Sequence, residues 1–170
     1  MAPDLKVLVV TYVVHSYDFD LHMGFQFTGN ICRSPMGEAV LRDVAKKRGI
    51  EIEVDSCGTG GYHIGEEPDD RTIATCKKHN IPIEHSARQI NTSDFTKFTH
   101  ILASDESNLR TLKSMKPKNA TAEVRLFGSY LDNKPIADPY YGGLNGFEKV
   151  YEQCKAFSDA FLDEVVVIRD

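Results

Sequence analysis

Short β-branched or apolar runs alternate along this chain with segments of helical character, and that rhythm limits the fold more than any other feature. The runs are Val7 to Val10, Ile52 to Val54 and His100 to Leu102. Each is too short to be a helix, and each is separated from the next by enough chain for a helical crossover. The expected architecture is therefore α/β, a parallel sheet with helices packed on its faces.

The helical segments can be bounded. Pro35 opens a helix to about Lys47, with Ser34 as N-cap and Gly49 as its close. Met36, Ala39, Val40 and Val44 fall at helical spacing in it. A second helix is expected from Pro68 or Asp69 to about His79, with Ile73, Ala74 and Cys76 inward, and a third from Asp105 to about Met115. The last, from Gly146 to about Val165, carries Phe147, Val150, Tyr151, Cys154, Phe157 and Phe161 as a continuous apolar stripe, which core packing explains. No repeat, low-complexity tract or linker divides the chain, and 170 residues suit one domain. Asp132 to Tyr141, rich in proline and followed by Gly142 and Gly143, reads as an ordered functional loop.

Composition excludes several classes. A formal charge of -5 argues against non-specific nucleic-acid binding, which needs an excess of Lys and Arg. No stretch is long enough to span a bilayer. The apolar run from Val7 to Val14 is interrupted by Thr11 and Tyr12 and leads into His15, Asp18 and Asp20, so it reads as a buried strand and not as a secretory leader. Cys32, Cys57, Cys76 and Cys154 form no C-x-x-C pair, so neither a zinc site nor a disulfide framework is indicated. His15, Asp18, Asp20 and His22 fit no standard metal spacing. A cytoplasmic chain without metal or cofactor is the expectation.

The most informative segment is Thr28-Gly29-Asn30-Ile31-Cys32-Arg33-Ser34-Pro35, between an apolar strand and a proline-initiated helix. Such a turn aims backbone N–H groups and the positive helix end at one point, which suits phosphate. Arg33 can hold two phosphate oxygens with its planar fork, and Ser34 can cap the helix or donate its hydroxyl to the bound group. A well-capped helix with no ligand is the plain alternative.

G-N-I-C-R-S-P-M followed by an amphipathic helix resembles the signature loop of the low-molecular-weight protein tyrosine phosphatases. The resemblance runs on through Val54-Asp55-Ser56, Gly61-Tyr62, Ile81-Pro82 with His85, Ala87-Arg88-Gln89-Ile90, Asp105-Glu106-Ser107-Asn108-Leu109, Gly128-Ser129-Tyr130 and Asp138-Pro139-Tyr140-Tyr141-Gly142. It implies a three-layer fold, with a four-stranded parallel twisted sheet between helices. It also implies hydrolysis of phosphotyrosine proteins or small aryl phosphates through a phosphocysteine, with inorganic phosphate as a ligand, in a monomer or weak dimer.

By that resemblance Arg33 clamps the phosphoryl group and Asp138 is the general acid, although an Asp-Pro pair is ordinarily a surface turn. A tyrosine oxygen, whose pKa is about 10, is a poor leaving group until it is protonated. Asn30, Ser56 and His85 match residues that brace the loop, and Asp105 joins that support. Tyr140 and Tyr141 match one wall of the cleft and Tyr62 the other, with burial as the plain alternative for each.

Two departures matter. Counting six residues back from Arg33, where the family keeps its nucleophilic cysteine, lands on Phe27. Cys32 matches the family's second loop cysteine and has no such partner here. In addition, residues 11–27 stand where the family passes directly from its first strand into the loop. The chain is thus expected to be a phosphatase by family with little or no turnover as written. The alternative is a non-catalytic module that binds phosphate or phosphotyrosine. Arsenate reductases share the scaffold but need redox cysteines around Ile81 to Gln89, where this chain has none.

Overall fold

A computed structural model describes residues 5–11, 32–60, 64–139 and 145–167. The elements run β1 (Lys6–Thr11), α1 (Arg33–Lys47), β2 (Glu53–Gly58), α2 (Asp70–Lys78), α3 (Asp94–Lys97), β3 (His100–Ala103), α4 (Glu106–Met115), β4 (Glu123–Leu126), a 3-10 turn (Phe127–Tyr130) and α5 (Gly146–Val167). The four strands form one sheet in the order β2-β1-β3-β4, and every pair is parallel.

Alternation along β1 explains the layers. Val7 and Val9 enter the core shared with α1, α2 and α5, while Leu8 and Val10 enter the one formed with Phe95 of α3 and Leu112 of α4. A strand buried on both faces must be apolar throughout, which is why β1 reads as an unbroken run. The chain leaves β1 toward β2 on one side and returns with β3 on the other. The carboxyl ends of β1 and β3 therefore flank the crevice where open α/β sheets take their ligands.

The long helices lie where their periodicity predicts, and the apolar stripe of α5 is buried from Phe147 to Val165 apart from the half-buried Tyr151. At the end of α1, Gly49 adopts φ 69 and its N–H bonds the Lys46 carbonyl. Three local expectations change. α1 begins at Arg33, with Cys32 in the N-cap position and no side-chain cap, so Ser34 is inside the first turn. Pro35 is tolerated there because the first N–H groups of a helix have no intrahelical acceptor.

The buried face of α2 is Thr72, Thr75 and Cys76, whereas Ala74 is exposed and Ile73 half-buried. The threonines can turn inward because their hydroxyls find acceptors, Thr72 at the Cys32 carbonyl (3.4 Å) and Thr75 at the Arg71 carbonyl (2.8 Å). α3 and β4 were not anticipated from the residue pattern. β4 is a four-residue edge strand with only Leu126 buried, so it lacks an apolar run. The fourth strand came from the family resemblance alone.

Candidate active site

Arg33, the first residue of α1, sits at the switch point of the sheet and is only 8% exposed. Its Nη1 donates to Asp105 Oδ2 at 2.8 Å and to the Ile136 carbonyl at 3.2 Å. Asp105 is itself fixed. It caps α4, its Oδ1 accepting from the Asn108 N–H (2.8 Å) while Asn108 Oδ1 accepts from the Asp105 N–H (3.1 Å). One carboxylate oxygen thus holds the helix and the other holds the guanidinium, so the first turns of α1 and α4 are tied together. Both Arg33 bonds use Nη1, and among the described residues neither Nη2 nor Nε is engaged.

The loop before α5 is clipped to the same place. The Ile136 N–H donates to the Ser104 carbonyl at 2.8 Å. Gln153 of α5 accepts from the Ala137 N–H (3.1 Å) and donates to the Pro135 carbonyl (3.0 Å). Asp138 follows directly, and its charge reaches Cys32 at the start of α1.

The Cys32 thiol is pushed up to about 12, first by burial and then by Asp69, with Asp138 adding to the rise while Arg71 and Arg33 oppose it. At neutral pH it is a thiol. The Ser34 hydroxyl, expected to cap the helix, donates to the Cys57 carbonyl at 3.4 Å. This contact joins α1 to the end of β2.

A second group braces α1 from the side of β2. Ser56 Oγ donates to Glu38 Oε2 (2.6 Å) and lies 3.4 Å from His85 Nε2, while His85 Nδ1 lies 2.9 Å from the same Glu38 oxygen. Arg42 pairs with Glu38 and donates to the Val54 carbonyl. Ser56 and His85 are therefore neighbours, and Glu38 is what they share.

Sequence reasoning missed Glu38. Its signal was a lone acid inside the apolar stretch Pro35 to Leu41, at a position that is 4% exposed. Ligand atoms of Glu38, Asp55 and His85 lie within 4.8 Å of one another, as a metal site requires. However, Arg42 pairs with Glu38, and Arg88 pairs with Asp55 at 2.9 Å. Two guanidinium groups beside the carboxylates oppose a divalent cation there.

Burial raises the Glu38 carboxyl, but hydrogen bonds from His85, Ser56 and Arg42 outweigh it and hold the group below the ordinary carboxylate range. A carboxylate whose pKa is depressed by folding stabilises the fold above its unfolded pKa. That contribution is lost as pH falls through the lower, folded value. Unfolding stability of the wild type is therefore expected to fall as pH drops below about 4.3, the unperturbed glutamate value. Glu38→Ala is expected to cost roughly 3 kcal/mol at pH 7, because it leaves buried partners unpaired. Urea unfolding of both proteins between pH 7 and pH 3 measures this. Parallel pH dependences would rule Glu38 out as the titrating group.

Phe27, Thr28, Gly29, Asn30 and Ile31, as well as Tyr62, Tyr140 and Tyr141, lie outside the described residues, and so do His15, Asp18, Asp20 and His22.

Known proteins resemble this chain over most of its length. The family model for low molecular weight phosphotyrosine protein phosphatase matches residues 22–167. The protein of that name from Schizosaccharomyces pombe is 47% identical over 147 residues, covering 83% of this chain and 94% of the relative. The one from Homo sapiens is 47% identical over 146 residues, covering 82% and 92%. A crystal structure of a protein tyrosine phosphatase from Entamoeba histolytica, with Hepes in its active site, superposes with a TM-score of 0.82 at 26% identity, covering 98% of this chain and 100% of that one. Nearly the full length of each relative is matched, and the chain belongs to the low molecular weight phosphotyrosine protein phosphatase family.

Proposed function

We propose that this chain binds the phosphoryl group of phosphotyrosine proteins, of small aryl phosphates or of inorganic phosphate on the turn Thr28 to Ser34, and that as written it hydrolyses them negligibly. The observation that carries the reading is the fixing of Arg33. Its guanidinium is set by Asp105 and by the Ile136 carbonyl, and among the described residues Nη2 and Nε are left for an anion at the positive end of α1.

In this reading Arg33 holds the equatorial oxygens of the transferring group. Ser56, His85 and Asp105 keep the turn in place, and once a nucleophile is supplied Asp138 protonates the departing phenolate. Tyr62, Tyr140 and Tyr141 form the walls against which the substrate ring stacks. No metal or cofactor takes part in the steps assigned to these residues, and the protein works in the cytoplasm as a monomer or weak dimer.

What is missing is the nucleophile. Phe27 stands six residues before Arg33, and a phenyl ring cannot form a phosphoenzyme. Cys32 is no substitute, since its thiol titrates near 12 and is overwhelmingly protonated at neutral pH. We assign residues 11–27 as an insertion into a single domain spanning 1–170. Purified protein assayed with an aryl phosphate is expected to show no turnover above background. Ordinary hydrolysis, lost on Arg33→Ala, would refute this.

A further inference from the structure

We propose that the Thr11 hydroxyl, backed by Ser104, forms the floor of the anion site and hydrogen-bonds a tetrahedral oxyanion held by Arg33. This deepens the function proposed above and rests on its claim that Arg33 binds phosphate.

Three observations place Thr11 there. First, strand alternation puts Thr11 on the same face of β1 as Val7 and Val9, the face covered by α1. Second, Val9 lies directly beneath Gly37, since a Cβ on that glycine would come within 3.0 Å of Val9 Cγ1. From Val9 to Thr11 the strand advances about 6.6 Å, which a helix rising about 1.5 Å per residue covers in roughly four residues. The crossover helix runs back along the sheet, so four residues before Gly37 is the residue above Thr11, and that residue is Arg33.

Third, among the described residues the hydroxyl has no good partner. Ser104 Oγ donates to the Val10 carbonyl at 2.9 Å and lies 3.4 Å from Thr11 Oγ1. That is long for an O–H···O bond, whose usual length is about 2.7–2.8 Å. Thr11 is only 4% exposed, so a weakly used donor is buried beneath the first turn of α1. A buried hydroxyl in that condition is poised to donate to a stronger acceptor, and an oxyanion is one.

Inorganic phosphate titrated into the full chain by calorimetry provides the test. The wild type is expected to bind and Arg33→Ala to fail. Thr11→Val, which keeps the shape and removes the hydroxyl, is expected to weaken binding about tenfold, and Thr11→Ser to stay within about twofold of the wild type. Equal binding by wild type and Thr11→Val, with Arg33→Ala still failing, overturns the role of Thr11 and leaves the phosphate site standing. Equal losses in Thr11→Val and Thr11→Ser also overturn it, because packing and not the hydroxyl would then be responsible. Failure of the wild type to bind overturns both claims.

Should Thr11→Val not fold, Thr11→Cys carries the test by mass-spectrometric alkylation of the peptide bearing residue 11. Phosphate is expected to slow that alkylation at least about fivefold, and an unchanged rate overturns the proposal.

Discussion

Replacing residues 11–27 with a single cysteine is expected to raise aryl phosphate turnover from background by at least about a thousandfold. The reason lies in where β1 ends. Thr11 is the last residue of the strand, pairs with Gly58 and accepts from the Thr59 N–H through its carbonyl. These are main-chain contacts that any residue keeps. A cysteine in its place, joined directly to Thr28, stands at the carboxyl edge of the sheet beneath the first turn of α1. There the helix end and Arg33 favour a thiolate.

Cys32 shows the opposite environment a few residues away, where burial and two carboxylates push the thiol up to about 12. The gain must vanish on Arg33→Ala, since the guanidinium is the group that gathers the phosphate oxygens. A folded replacement variant with no turnover would mean that the turn is disabled at some residue other than the missing nucleophile.

How far the sequence reveals this site depends on the range of each interaction. β1, α1 and α5 are legible because their signal is local: an unbroken apolar run for a strand buried on both faces, and three- and four-residue spacing for helices buried on one. Asp105 capping α4 is legible for the same reason, since Asp105 and Asn108 are three residues apart. Glu38 is not. Its partners Ser56 and His85 are 18 and 47 residues away and reach it only through the sheet, so an acid on an apolar face has no meaning until the fold supplies them.

Ser34 misled for a related reason. A serine before a proline is the usual sign of an N-cap, but the carbonyl of Cys57, from another element, claims its hydroxyl. Hydropathy alone ranks Thr72 and Thr75 below Ile73 and Ala74, so the residue pattern does not reveal the buried face of α2. Arg33 is legible from the turn before a proline-initiated helix, whereas Asp138 is legible only through motif resemblance. Chain geometry adds what the motif does not contain, the tether of Arg33 to Ile136 and of the Asp138 loop to Ser104.

In the cysteine-replaced protein, Asp138→Asn is expected to lower kcat on phosphotyrosine by about 10²- to 10⁴-fold while KM changes little. The substitution keeps the size of the side chain and removes its proton. Loop anchors at Ile136, Ala137 and Pro135 are main-chain contacts that the change leaves in place, so the phosphate site should fill as before. The loss should depend on the leaving group. A tyrosine oxygen departs as a strong base and needs the proton, whereas a nitrophenolate spreads its charge over the ring and needs it much less. The penalty on nitrophenyl phosphate should therefore be at least about tenfold smaller than on phosphotyrosine. Steady-state kinetics over a series of aryl phosphates measures it as a steeper dependence of kcat on leaving-group basicity. If kcat/KM, which reports the step that expels the leaving group, fell by the same factor for every substrate, Asp138 would be positioning the phosphate or the loop, and the proton would have to come from somewhere else.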